Sequence, residues 1–231
     1  MQHTSGHTLK AFDQDIDRLR ALISQMGGLA EHAIGEAMRC LIQRDTEGAL
    51  IVVANDKKLD ALELETERRA VQLIALRAPM AGDLRDVVAA LKISGVVERI
   101  GDYAKNIAKR VPLLENATKI EPISLLPEMA RIATSMVHDV LDAFVQRDAD
   151  VALQVCARDE AVDDFYDSIF RTLLTHMMEN PHNISHATHL LFVAKHLERI
   201  GDHATNIAEM VYFAATGEHM ADRNRDDDSG G

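Results

Sequence analysis

The chain has 231 residues, of which 47% are hydrophobic, so it can bury one large core or two ordinary ones without disulfide or metal staples. Aromatic residues make up only 4% and Trp is absent, a composition that disfavours a β-sandwich and predicts an all-α fold. The formal net charge of −12 repels phosphate backbones and anionic lipids, so we expect no nucleic-acid partner.

Proline positions and helix-capping signals divide the chain into six long helices joined by short turns. A turn-forming tripeptide recurs as Gln43-Arg44-Asp45 and Gln146-Arg147-Asp148, where the aspartate is expected to cap the next helix. No stretch of about 20 apolar residues occurs, so direct membrane insertion is not expected. The predicted helices span 9–44, 46–77, 83–111, 124–147, 149–179 and 184–216, with a linker at 112–123.

An internal repeat is the strongest signal in the sequence. The segment ERIGDYAKNIA at 98–108 recurs as ERIGDHATNIA at 198–208, with nine of eleven positions identical. A weaker pair, DKKLD at 56–60 and DEAVD at 159–163, follows each capped turn at the same distance. The sequence therefore predicts two tandem antiparallel three-helix bundles related by duplication, at 9–116 and 122–217, followed by a disordered tail at 218–231.

Each repeated segment places two carboxylates four residues apart on one helical face, where like charges repel. Around Pro79, Asp56 and Asp102 are each 23 residues from the turn, so they should lie at one height on adjacent antiparallel helices. The hairpin around Pro181 nearly repeats this spacing. Facing carboxylates in a poorly solvated groove need a compensating cation or shifted pKa values. The predicted metal ligands are Asp56, Asp60, Glu98, Asp102, Asp159, Asp163, Glu198 and Asp202.

Oxygen-only ligands favour hard or borderline divalent ions, which leaves iron, manganese, zinc, magnesium and calcium open. The alternative is that neighbouring cations neutralise the acids in surface ion pairs of little energetic value. Four side chains beside the acids could do so: Arg99, Arg199, Lys57 and Lys58. Asn106 and Asn206 extend the same stripe by one turn, where a structural role, such as a hydrogen bond to a neighbouring backbone, is favoured. They could also support the carboxylates by hydrogen bonds or, like Arg99 and Arg199, face a partner.

Two further patterns predict how the helices pack. Gly101 and Gly201 fall in mid-helix, where glycine costs about 1 kcal/mol relative to alanine, so we expect a close helix approach there. Histidines recur every seven residues along the last helix, which predicts a solvated or inter-bundle stripe. These are His182, His189, His196 and His203.

The two ERIGDxAxNIA segments, each paired with an upstream DxxxD, resemble the PhoU family of phosphate-signalling proteins. MGGLAE at 26–31, DLR at 83–85 and HMMEN at 176–180 add to the resemblance, which spans about residues 9–217. It implies a cytoplasmic, mostly dimeric, non-enzymatic regulator of phosphate homeostasis that lies peripheral to the inner membrane through its partners. Such a protein represses the phosphate-starvation (Pho) regulon when phosphate is plentiful.

The resemblance also implies the partners and the cofactor. The partners would be the ATPase subunit of the Pst phosphate ABC transporter and a sensor histidine kinase. Some members of the family carry multinuclear iron or zinc clusters on the acidic motifs that match the eight carboxylates above, whereas others carry no metal. The alternative function is a metal-binding carboxylate bundle with an enzymatic or metal-storage role.

Overall fold

The computed structural model describes residues 4–115 and 124–220, with side chains from residue 12 onward. Within these ranges the chain is helical and has no strand, which confirms the predicted fold class. Single 3₁₀ turns occupy Pro112–Leu114 and Pro181–Asn183. The helices are α1 (Thr4–Gln43), α2 (Thr46–Asn55), α3 (Lys57–Arg77), α4 (Gly82–Ala108), α5 (Leu126–Gln146), α6 (Ala149–Ala157), α7 (Asp159–Glu179) and α8 (Ile184–Thr216).

Two of the six predicted helices are each broken into a short and a long helix. The predicted helix 46–77 breaks at Asp56, where the Leu59 N–H donates to the Asp56 carbonyl at 2.8 Å across only three residues. The predicted helix 149–179 breaks at Arg158, whose carbonyl accepts from the Ala161 N–H at 3.2 Å. These tighter 3₁₀-type bonds need neither Gly nor Pro, so the sequence carried no signal for the breaks. In addition, α1 begins at Thr4 and not at residue 9.

The two capped turns have the same geometry, as the repeated tripeptide predicts. The Asp45 carboxylate accepts a hydrogen bond from the Gly48 N–H at 2.8 Å and caps α2. The Asp148 carboxylate caps α6 by accepting from the N–H groups of Asp150 and Val151, both at 3.0 Å. The arginine before each aspartate, Arg44 or Arg147, has a φ of 57° and ends the preceding long helix in the left-handed region.

Helices α4 and α8 lie at the centre of the molecule and pack against each other. Helix α4 also packs against α1 and α3, and α8 against α5, α6 and α7, while α1 contacts α5. The two repeats, each of three long helices and one short helix, therefore share one continuous hydrophobic core. Cys40 and Cys156 are both buried, and they are not joined to each other by a disulfide.

The contact between α4 and α8 is lined by aromatic and histidine rings. Tyr103 on α4 stacks on His196 and His203 of α8, with ring centroids 5.7 and 5.3 Å apart. The Tyr103 hydroxyl lies 3.2 Å from Nε2 of His203, the residue at the equivalent position of the second repeat. Burial, with Arg110 and Arg199 nearby, lowers the pKa of His196 to about 4. The histidine stripe is therefore an inter-bundle stripe at this level, whereas His182 is exposed in the 3₁₀ turn.

A buried carboxylate, Asp86 on α4, joins three helices at one end of the molecule. Its Oδ2 atom lies 3.1 Å from a nitrogen of Arg20 on α1 and 3.3 Å from one of Arg147 at the end of α5. Only 7% of the Asp86 side chain is exposed. Burial raises the pKa of Asp86, and the two arginines oppose this shift. Asp86 thus ties the second repeat to the first.

The ends of the second repeat are described only in part. Met220, just after α8, places its sulfur 3.8 Å from the Cys156 thiol. The rest of the predicted tail, at 221–231, and most of the predicted linker, at 116–123, lie outside the described residues. Among the helices that are described, none combines the length and the apolar character needed to cross a bilayer.

The two mid-helix glycines allow a close helix approach, as predicted. A Cβ atom at Gly101 would overlap with Cδ2 of Leu59 on α3, a side chain that is itself buried. At Gly201 the added atom would lie 3.3 Å from both Asp159 Oδ1 and Val162 Cγ1 of α7. Because both glycines lack a side chain, α3 can pack closely against α4 and α7 against α8.

We expect the Gly101→Ala variant to be less stable than the wild type, because overlap with Leu59 costs about 1–3 kcal/mol. This cost outweighs the gain of about 1 kcal/mol from the better helix propensity of alanine. In a Leu59→Ala background the same substitution should stabilise the protein, since the overlap is gone. Urea unfolding of the four proteins measures both effects. Gly28→Ala is the matched control, because a Cβ there meets nothing within 4 Å, and it should be stabilising. Equal effects of Gly101→Ala and Gly28→Ala would contradict the packing explanation.

A second prediction concerns a contact between the repeats, where His138 Nδ1 on α5 lies 3.2 Å from Glu31 Oε1 on α1. The hydrogen bond with Glu31 raises the pKa of His138 above its usual value. Below the usual histidine pKa of about 6.5, the pair makes its whole contribution to the free energy of unfolding. This contribution is lost as the pH rises through the raised pKa of His138. NMR titration of the His138 ring should show the raised pKa, and Glu31→Gln should lower it. An unchanged His138 pKa in the Glu31→Gln variant would disprove the pairing.

Candidate functional site

In the first repeat, the close contact of α3 and α4 brings the predicted acidic residues together around a lysine. The Lys105 ammonium on α4 donates to both Asp56 Oδ2 and Asp102 Oδ1. Only 8% of the Asp56 side chain is exposed. Burial lowers the pKa of Lys105, but the hydrogen bonds to Asp102 and Asp56 more than compensate and raise it. Lys105 is therefore a cation held between α3 and α4.

One ammonium does not neutralise the whole cluster. Burial raises the pKa of Glu98 to about 7, and repulsion from Asp102, Glu63, Asp60 and Asp56 adds to the shift. The pKa of Glu63 is raised as well, by burial and then by neighbouring acids. Sequence reasoning missed Glu63, although it lies three residues after Asp60 and so on the same helical face. This cluster carries more negative charge than its lysine balances.

The second repeat builds a similar cluster between α7 and α8. The Lys195 ammonium donates to Glu198 Oε1 and lies 5.2 Å from the centre of the Tyr166 ring. Burial, followed by repulsion from Glu198, raises the pKa of Asp163. Burial and repulsion from Asp163 raise the pKa of Asp202. The other oxygen of Glu198 is buried without a hydrogen-bond partner among the described residues. Asp159 reaches the same contact, beside Gly201.

The two clusters hold their lysines on opposite sides of the acids. Lys105 follows Asp102 by three residues, whereas Lys195 precedes Glu198 by three. The residues at the equivalent positions of the other repeat are Thr205 and Gly95. Neither lysine was identified from the sequence, although a spacing of three places each on the acidic face. The clusters are therefore related by position but not by charge arrangement.

The predicted supporting residues lie beside the clusters, where Arg99 partly offsets the raised pKa of Glu63 and Arg199 that of Asp202. Arg199 places its guanidinium carbon 5.9 Å from the centre of the Tyr103 ring. Arg99 and Asn206 line a groove together with Glu63 and Glu98. The Asn206 amide contacts His203 Nδ1 at 3.3 Å, and Asn106 is half-buried. The alternative to metal binding named Arg99, Arg199, Lys57 and Lys58 as the neutralising cations, whereas the ion pairs seen with these acids in the described residues are those of Lys105 and Lys195.

The clusters fit a divalent cation in donor chemistry, since they offer hard oxygen ligands, excess negative charge and a buried carboxylate oxygen without a partner. Their side chains are arranged around ammonium groups. Within residues 12–115 and 124–220, no three His, Cys, Asp or Glu side chains are placed to hold one metal ion. A metal would bind by displacing the lysines.

Comparison with known proteins identifies the family. The family model described as "PhoU domain" matches twice, at residues 23–111 and 126–211, within the two predicted repeats. A phosphate-specific transport system accessory protein PhoU homolog of Zymomonas mobilis is 56% identical over 223 residues, which cover 96% of this chain and 94% of that protein.

Two crystal structures have the same fold. PhoU from Pseudomonas aeruginosa aligns with a TM-score of 0.85 at 35% identity, covering 90% of this chain and all of that one. The phosphate transport system regulatory protein PhoU from Streptococcus pneumoniae also has a TM-score of 0.85, at 28% identity, with coverage of 91% and 99%. Taken with the duplicated acidic motifs on paired helices, these matches show that the chain belongs to the PhoU family.

Proposed function

We propose that the protein is a regulator of phosphate homeostasis that represses the phosphate-starvation regulon in phosphate-rich cells. The observation that carries the proposal is the 56% identity, over almost the full length of both chains, to a relative named an accessory protein of phosphate-specific transport. The Streptococcus pneumoniae structure, which has the same fold, is named a regulatory protein of the phosphate transport system.

The protein acts by docking and not by catalysis. Its partners are the ATPase subunit of the phosphate transporter and a sensor histidine kinase, and it works as a homodimer in the cytoplasm beside the inner membrane. Binding to one partner changes the balance between two states of the other, which requires a difference in affinity but no turnover. The net charge of −12 favours basic surfaces on these partners.

Exposed apolar side chains support docking through the outer helices. Most of the large hydrophobic residues that are more than 40% exposed lie on α2, α3, α6 and α7, and two others, Ile184 and Phe192, lie on α8. Such side chains commonly mark protein–protein contact sites when they lie together. Those on the short helices and α7 are Leu50, Ile51, Leu153, Phe170, Leu174 and Met178.

Deleting the gene should switch on phosphate-starvation genes in phosphate-rich medium, and a plasmid copy should restore repression. A reporter fused to a phosphate-starvation promoter measures both effects. Affinity purification from phosphate-replete membranes should recover the transporter ATPase and the kinase. A silent reporter in the deletion strain would disprove the regulatory role, and metal-stimulated phosphoesterase turnover by the purified protein would favour the enzymatic alternative.

We also propose that the two carboxylate clusters bind divalent or multinuclear metal ions, with iron, zinc, manganese and magnesium as candidates. The raised pKa values of Glu98, Asp163 and Asp202 support this, since they report carboxylates that their lysines do not fully neutralise. A metal ion there would neutralise the acids and join α3 to α4, or α7 to α8.

Replacing Lys105 or Lys195 by Met should strengthen metal binding, because an ammonium group no longer competes for the carboxylates. Calorimetric titration with Mn²⁺, with elemental analysis of the purified protein, measures affinity and stoichiometry. Lys109→Met is the matched control, since Lys109 is exposed at the end of α4 and should leave the affinity unchanged. The metal proposal fails if neither the wild type nor the two lysine variants bind Mn²⁺ saturably.

A further inference from the structure

The two repeats fill the contact between their first two helices differently. In the second repeat, Arg158 at the end of α6 reaches across to α5. Its guanidinium pairs with Asp139 Oδ2 at 2.7 Å and donates to Ser135 Oγ at 3.3 Å. A side chain of the protein itself therefore occupies the space between α5 and α6.

The first repeat lacks this arginine. The repeated tripeptides and DxxxD segments align the helices at a constant offset of 103 residues, so Arg158 corresponds to Asn55. By the same offset, Asp139 corresponds to Glu36 and Ser135 to His32. All three first-repeat residues line a cavity of about 200 Å³ between α1, α2, α3 and α4. The cavity lies where the second repeat holds a guanidinium.

The cavity has the size and lining of a site for one side chain. An apolar cavity of about 150 Å³ is known to hold benzene, so about 200 Å³ accommodates the end of an arginine. Buried Val52 and Leu59 form part of its apolar wall. At its opening, Asn55 and Lys58 are exposed, and Ile51 is 62% exposed. A partner can therefore enter from solvent.

The charges around the cavity favour a cation that pairs with Glu36. Glu36 Oε2 accepts from Arg39 Nε at 3.0 Å, and its other oxygen has no hydrogen bond in the described part of the chain. Of the three Lys and Arg side chains that line the cavity, Lys58 is exposed at the opening. The other two are already paired: Lys105 with Asp56 and Asp102, and Arg39 with Glu36 and also Asp45. Inside the cavity, beyond Lys58, an incoming anion would meet neutralised cations, whereas an incoming guanidinium finds a carboxylate with a free acceptor.

We infer that this cavity receives an arginine side chain of a partner protein, whose guanidinium pairs with Glu36 as Arg158 pairs with Asp139. The planar guanidinium suits this site better than an ammonium does, because its fork of N–H groups can bind a carboxylate while its flat faces lie on apolar walls. The inference rests on the proposed docking function for the source of the arginine. The affinity of the cavity for a guanidinium depends only on the residues that line it.

The first test uses N-acetyl-L-arginine amide as a probe of the purified protein. NMR titration should show saturable shifts confined to residues around the cavity, and weaker binding of the matching lysine and aspartate amides. Asn55→Arg should fill the cavity from within, as Arg158 does, and lower the affinity for the probe at least tenfold. Glu36→Gln should lower it by a similar factor while keeping the side-chain volume.

The reverse substitution gives an internal control. Arg158→Asn should open the equivalent space in the second repeat and create a second set of shifts near Asp139. The inference is overturned if the arginine amide does not bind the wild type, if Asn55→Arg binds it equally well, or if the aspartate amide binds more tightly.

A cellular test separates the origin of the arginine from the regulatory role. In the deletion strain, Asn55→Arg should fail to restore repression although it accumulates to the wild-type level. Full repression by this variant would show that no partner arginine uses the cavity, and it would leave the regulatory role intact. A deletion strain whose reporter stays silent would instead disprove the regulatory role, and the binding of the probe to the purified protein would still be decided by NMR.

Discussion

Repulsion between facing carboxylates is the constraint around which both repeats are built. Gly101 and Gly201 remove the side chains that would hold α3 from α4 and α7 from α8. The acids on these helices then lie too close to one another to be ionised independently. Lys105 and Lys195 neutralise part of the charge, and the raised pKa of Glu98 reports what is left. The two glycines are therefore the common cause of the close helix packing and of the raised carboxylate pKa values.

The duplicated architecture places equivalent residues face to face and then lets them differ. Tyr103 and His203 occupy the same position in the two repeats and contact each other where α4 meets α8. Farther from this contact the copies diverge, since Arg158 fills a space in one repeat that remains a cavity in the other. The two halves therefore present unlike surfaces on a shared framework.

Much of the fold follows from the sequence, because repeats, caps and helical spacing are local signals. The capping roles of Asp45 and Asp148 and the packing role of Gly101 depend on residues near them in the chain or on a repeated pattern. The helix breaks at Asp56 and Arg158 were missed because the backbone there stays close to helical and needs no Gly or Pro.

The site was predictable in its acids but not in its cations. Hairpin spacing brings Asp56 and Asp102 together, and the structure places both on Lys105. The two lysines were not predicted because the repeats carry no lysines at equivalent positions. Only the three-dimensional contact shows which of several nearby cations reaches the acids. The cavity beside Asn55 arises where the two repeats differ, so their sequence similarity does not predict it.

The left-handed arginines at the ends of α1 and α5 have a consequence for how the molecule can change over evolution. Glycine would adopt this backbone with less strain, by about 1 kcal/mol. Yet Arg147 binds Asp86 of the other repeat, and Arg44 donates to the Glu115 carbonyl at 3.0 Å beyond the end of α4. Replacing either arginine by glycine would relieve the strain of the turn but remove a contact with another helix end. The same substitution therefore cannot improve both the local backbone energy and the contacts between distant parts of the chain.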